Sequence, residues 1–145
     1  MQITLEDKVA VVTGVSGDGQ VGQTVAQALA KNGAKLAICS RSKDKVEARA
    51  EELRALGATV LAMAGSLTDE DQVKQLVDDT VLQYGRIDIL INLAGGLTRY
   101  KPAVELTLED WSAEINNNLL TAFLMSRAAF PHLKAAGDGV IINFA

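Results

Sequence analysis

Short, β-branched apolar runs alternate along the chain with longer segments in which apolar residues return every three or four positions. Val9-Ala10-Val11-Val12 is too short and too β-branched for a helix and reads as a strand ending at Thr13-Gly14. Beyond it, Val21, Val25, Ala28 and Leu29 mark a helix that stops at Asn32-Gly33. Lys35 to Cys39 predicts the second strand, and Ser42 caps a charged helix with Val46, Ala50, Leu53 and Leu56 inward and Gly57 at its end. The unit then repeats. Thr59 to Met63 is a strand, Thr68-Asp69-Glu70-Asp71 resembles a capping box, and Val73, Leu76, Val77 and Val81 face inward up to Tyr84-Gly85. Ile87 to Leu93 reads as a fourth strand. A helical stretch from Thr107 passes through Trp111, Ile115, Leu119, Phe123 and Leu124, with Pro131 as a bending point and Gly137 as its end. Val140 to Phe144 is the fifth strand.

Strands alternating with helices over short connections pair in parallel through right-handed crossovers. The expected fold is therefore α/β: one Rossmann-like, doubly wound parallel domain over residues 1–145, with about five strands present. The fifth apolar run looks like a strand flanked on both sides, so further chain and further strands are expected beyond Ala145.

Composition narrows the function. Hydrophobic residues make up 48% and aromatic ones 4% of 145 residues, so the core is built of Ala, Val, Leu and Ile, as a helix-covered parallel sheet requires. A net charge of −4 without a basic stripe argues against nucleic acid as a partner. Cys39 is the only cysteine, which rules out an intrachain disulfide, offers no metal cluster, and suits a reducing, cytoplasmic setting. Met1 to Lys8 lacks the pattern of a signal peptide, and no apolar run is long enough to span a membrane.

Gly14, Gly17, Gly19 and Gly22 fall between the first strand and the first helix, where backbone amides and the helix dipole can receive a pyrophosphate. Such a loop alone also fits a flexible turn; its place after a strand and before a helix favours nucleotide binding. About twenty residues on, NAD-binding domains carry an acid for the ribose hydroxyls. This chain has Ser40-Arg41-Ser42-Lys43 instead. A guanidinium there favours a 2′-phosphate, hence NADP(H), with NAD(H) the second choice.

Val12-Thr13-Gly14, Gly22 and the alanine-rich helix after it resemble the loop of the short-chain dehydrogenase/reductase family, although two extra residues bring its spacing closer to the divergent enoyl-acyl-carrier reductases. Either Gly19 takes the middle-glycine role or the loop bulges. Asn92-Leu93-Ala94-Gly95-Gly96 resembles that family's Asn-Asn-Ala-Gly signature, and Asp110-Trp111 with Ile115 and Asn118-Leu119 resembles its helix bearing a catalytic Asn. The resemblance implies that Asn118 holds a water in a proton relay. It implies cofactor contacts from Thr13, Gly14, Ser16, Gly19, Gln20, Val21 and Gly22, then from Ser40, Arg41 and Ser42. Ser66 and Leu67 stand where the family has an Asp near the adenine, and Asn92, Ala94 and Gly95 complete the set. It further implies hydride transfer to or from a small carbonyl or alcohol substrate, and a dimer or tetramer formed through two long helices. The family's Ser and Tyr-x-x-x-Lys are absent: Tyr84 is followed four positions on by Asp88 and Tyr100 by Val104. This chain would then carry the cofactor-binding half and be inactive alone.

Two rivals remain: a non-catalytic nucleotide-sensing or protein-interaction module, and a methyltransferase, the latter disfavoured by the missing ribose-binding acid. His132 has no acid or nucleophile at useful spacing and reads as a solvated or capping residue. The pairs Glu51-Glu52 and Asp78-Asp79 sit beside basic residues on helix faces and read as solvent-facing charge.

Overall fold

A computed structural model describes residues 4–144. The expectations for the first residues of Met1 to Lys8 and for the strand's continuation at Ala145 lie outside the described residues at positions 1–3 and 145. Strand β1 (Val9–Thr13) is buried along its whole length, because in a parallel sheet both faces of a central strand are covered by helices. Helix α1 (Val21–Lys31), β2 (Lys35–Ser40), α2 (Lys43–Ala55), β3 (Val60–Ala64), α3 (Glu70–Tyr84) and β4 (Ile89–Asn92) follow. Then come α4 (Leu108–Ile115), a π-turn (Asn116–Leu120), α5 (Thr121–Ala136) and β5 (Val140–Asn143). The five strands are parallel in the order β3-β2-β1-β4-β5, the doubly wound arrangement expected from the alternation.

Alternate residues of each strand serve opposite faces. Ala10, Val12, Leu36 and Ile38 pack with Ala26, Val46, Ala50 and Leu53 of α1 and α2. Val11, Ala37, Cys39 and Leu90 pack with Val73, Leu76 and Val77 of α3 and with Leu124, Met125 and Ala129 of α5. At the amino edge, buried Asp88 accepts the Val9 amide at 2.9 Å and holds Arg86 through two hydrogen bonds, which fixes the entry of β4 beside β1.

Several sequence readings need correction. The buried face of α1 is Gly22, Gln23 and Ala26, whereas Val21 and Ala28 are exposed; small residues let the helix settle close to the sheet. Leu56 is the exposed C-cap of α2, past the last inward position. Asp69, one residue after Thr68, caps α3 through the amides of Asp71 and Gln72. Pro131 lies inside α5, and the departure from α-helical winding falls earlier, at the three asparagines. Among the described residues β5 pairs with β4 alone, and Val140, Ile141 and Ile142 are exposed. No described helix is long and apolar enough to cross a membrane.

Candidate functional site

The chain leaves β1 towards β2 on one side and reaches β4 on the other, so the carboxyl ends of β1 and β4 diverge into a crevice where ligands of open α/β sheets bind. Thr13 ties the two tips together. Its hydroxyl accepts the amides of Leu93 at 3.0 Å and Ala94 at 2.9 Å and donates to the Ile91 carbonyl at 3.4 Å. Gly14 follows at φ 76°, and a β-carbon there would lie 2.8 Å from the Ala94 nitrogen. One at Gly22 would lie 2.6 Å from the Gly14 carbonyl oxygen, so the first turn of α1 approaches β1 only because Gly22 lacks a side chain.

The cleft so formed holds about 560 Å³, within the range of small-ligand sites. Its phosphate wall is Gly14, Ser16, Gly19, Gln20, Val21 and Gly22, and its outer wall is Ser40, Arg41 and Ser42 with Lys45. Ser66 and Leu67, with Gly65 and Thr68, close one end, and Leu93, Ala94 and Gly95 with Asn117 and Thr121 close the other. Gly19 sits at φ 67°, in the left-handed region that glycine adopts readily. The Gln20 side chain folds over Gly17.

The start of α1 differs from those of α2, α3 and α4. Ser42 caps α2 through the Lys45 amide, Asp69 caps α3, and Thr107 with Asp110 forms a full capping box on α4. Gln20, at the N-cap of α1, makes no such bond, and no acid lies in the first turn. The orphan amides and the positive end of the helix dipole therefore face the cleft, which is the chemistry a pyrophosphate needs.

Not every expected residue lines the cleft. Thr13 acts from beneath, as described. Asn92 is buried and donates to Ser126 Oγ at 3.1 Å and to Asn143 Oδ1 at 2.8 Å, stiffening β4 against β5. Asn118 accepts the Gly96 amide at 2.7 Å and donates to the carbonyls of Gly96 at 3.2 Å and Glu114 at 2.9 Å, so it pins the loop after β4. Its neighbour Asn117, which also donates to Gly96, lines the cleft, as does Thr121 one turn on. Lys45 lines the cleft and Lys43 does not; the signal for Lys45 was its position three residues after the Ser42 cap, on the same helix face.

Two carboxylates extend the loop clamp. Glu114 accepts from the amides of Thr98 and Arg99 and from the Thr98 hydroxyl, and these bonds, the hydroxyl's first, hold its carboxyl below the usual range. Asp110 takes Lys101 at 2.9 Å together with Thr107, and is lowered to about 2, chiefly by Lys101. Cys39 is buried near the carboxyl end of β2, and desolvation pushes its thiol up to about 12, which keeps it unreactive. Among the described residues no group of three or more His, Cys, Asp or Glu is placed to hold a metal.

A family model described as short chain dehydrogenase matches residues 8–145. The D-threitol dehydrogenase of Mycolicibacterium smegmatis is 36% identical over 97% of this chain and 53% of its own length. The 3-oxoacyl-acyl-carrier-protein reductase FabG of Thermotoga maritima is 34% identical over 96% of this chain and 55% of its own. Among solved structures, a 7α-hydroxysteroid dehydrogenase complexed with NADH and 7-oxo glycochenodeoxycholic acid superposes with a TM-score of 0.91, at 26% identity, over 99% of this chain and 55% of that one. The chain thus spans about half the length of these relatives.

Proposed function

The chain belongs to the short-chain dehydrogenase family, and from that premise we propose that it is one NADP(H)-binding domain, the cofactor-holding half of an oxidoreductase acting on a small carbonyl or alcohol. The observation that carries the choice of cofactor is Ser40 and Arg41 on the cleft wall, where an NAD-selective site would present an acid. Arg41 has no ion-pair partner among the described residues, so its guanidinium is available to a 2′-phosphate.

The residues present fit a dinucleotide. The uncapped start of α1 takes the diphosphate, Ser66 and Leu67 border the adenine, and Ala94 and Gly95 leave room beside the tip of β4 for the nicotinamide, which when bound supplies or accepts hydride. Thr13 fixes the distance between the two halves of the cleft. Asn118 commits its amide to Gly96 and Glu114, which supports a positioning role: it holds Gly95 and Gly96 where the cofactor passes. Neither Tyr84 nor Tyr100 has a lysine four positions on, so these 145 residues alone are proposed to bind the cofactor without turnover.

A non-catalytic module is the weaker reading, because relatives aligned with nearly the whole chain are named as a dehydrogenase and a reductase. The exposed row Trp111, Leu119, Phe123 and Phe130 supports assembly with a second copy, and the unreactive single thiol fits a cytoplasmic setting. Arg41→Asp is expected to weaken NADPH by roughly 10- to 100-fold while changing NADH little, as read by fluorescence titration. Equal losses for both would reject the assignment.

A further inference from the structure

Resting on the NADP(H) reading, we infer that Lys45 is the second cation of the 2′-phosphate subsite and sets, with Arg41, how strongly that phosphate is preferred. A phosphate monoester carries close to two negative charges at neutral pH, so a lone guanidinium leaves part of the charge unmatched. Helix α2 presents Ser42, Lys45 and Arg49 at spacings of three and four residues, hence on one face. The two cations on that face are used differently. Arg49 is largely buried, pairs with Glu52 and stands 4.0 Å from Asp18, so its charge is already answered within the protein. Lys45 has no ion pair among the described residues and lines the cleft beside Ser40, Arg41 and Ser42. Ser42 Oγ accepts the Lys45 amide at 3.4 Å, which leaves its own proton free to donate outward. Guanidinium fork, ammonium point charge and hydroxyl, all lining the same cleft, are complementary donors for one anion.

Lys43 is the internal control: it has the same charge two residues earlier, yet it does not line the cleft. Calorimetric titration of the protein carrying this sequence with 2′,5′-ADP and with 5′-AMP isolates the subsite from any turnover. Lys45→Met is expected to weaken 2′,5′-ADP by about tenfold or more and to leave 5′-AMP within about twofold, whereas Lys43→Met leaves both within about twofold. Equal responses of the two variants to 2′,5′-ADP would overturn the role of Lys45 while leaving Arg41 as the discriminating group. Wild-type protein that binds 2′,5′-ADP no better than 5′-AMP would overturn the NADP(H) reading itself, and this inference with it. Unchanged melting temperatures of both variants guard against a folding effect.

Discussion

The two walls of the cleft are built on opposite principles. On the β1–α1–β2 side, polar groups are left open: the first amides of α1 lack a cap, and Arg41 and Lys45 lack ion pairs among the described residues. On the β4–α4 side they are consumed internally, with Asn118, Glu114 and Asp110 all bonded to the loop that follows β4. The three lie four residues apart, one per turn, so a single helix face latches the loop at three heights. One wall keeps its donors open; the other holds a shape. Open donors of this kind are tolerated only where water or a ligand satisfies them, which is the contrast on which the proposed placement of the cofactor rests.

The open wall is most sensitive at Gly22. Gly22→Leu places a side chain against the Gly14 carbonyl, and backing α1 away is expected to cost roughly 1–3 kcal/mol of stability and to reduce NADPH affinity by about 100-fold, seen in thermal melts and titration. Retained tight binding would move the diphosphate elsewhere. Asn118→Ala tests the other wall. It strips the Gly96 amide of its acceptor, while the Gly96 carbonyl keeps Asn117, and is expected to lower stability by about 1–2 kcal/mol, with a much smaller loss of nucleotide affinity than the glycine variant. The reverse ranking of the two variants in affinity would show that the latch, not the loop, holds the ligand.

The smallest expected effect is a pH dependence. The carboxyl of Asp110 is lowered from 3.8 to about 2, so its ionised form favours the folded state; that contribution is complete above pH 3.8 and is lost as pH falls through about 2. Asp110→Asn is expected to be less stable than the parent at neutral pH and to lose less stability between pH 4 and 2, measured by urea melts across a pH series. Parallel curves for the two proteins would remove Asp110 from the latch.

The alternation of β-branched runs with helical periods made the sheet legible, and the position of the glycines and of Arg41 made the phosphate wall legible, because those signals are local. The loop latch was less so. Asn116, Asn117 and Asn118 lie in a π-turn, whose wider winding lets the adjacent Asn117 and Asn118 both reach Gly96, a pairing that a 3.6-residue period cannot express. The buried side of α1 was hidden for another reason: close packing on β1 selects Gly22 and Ala26 for size, so the larger Val21 marks the wrong face. Lys45 shows no signal in composition at all, and becomes visible only when Ser42 is recognised as the start of its helix.

Val11 and Val12 are neighbours in the chain and belong to different interiors, one shared with α3 and α5, the other with α1 and α2. The sheet is thus a partition between two hydrophobic compartments. Packing beneath α1 and α2 is therefore separate from packing beneath α3 and α5, so substitutions on one face of the sheet are expected to add to those on the other with little coupling.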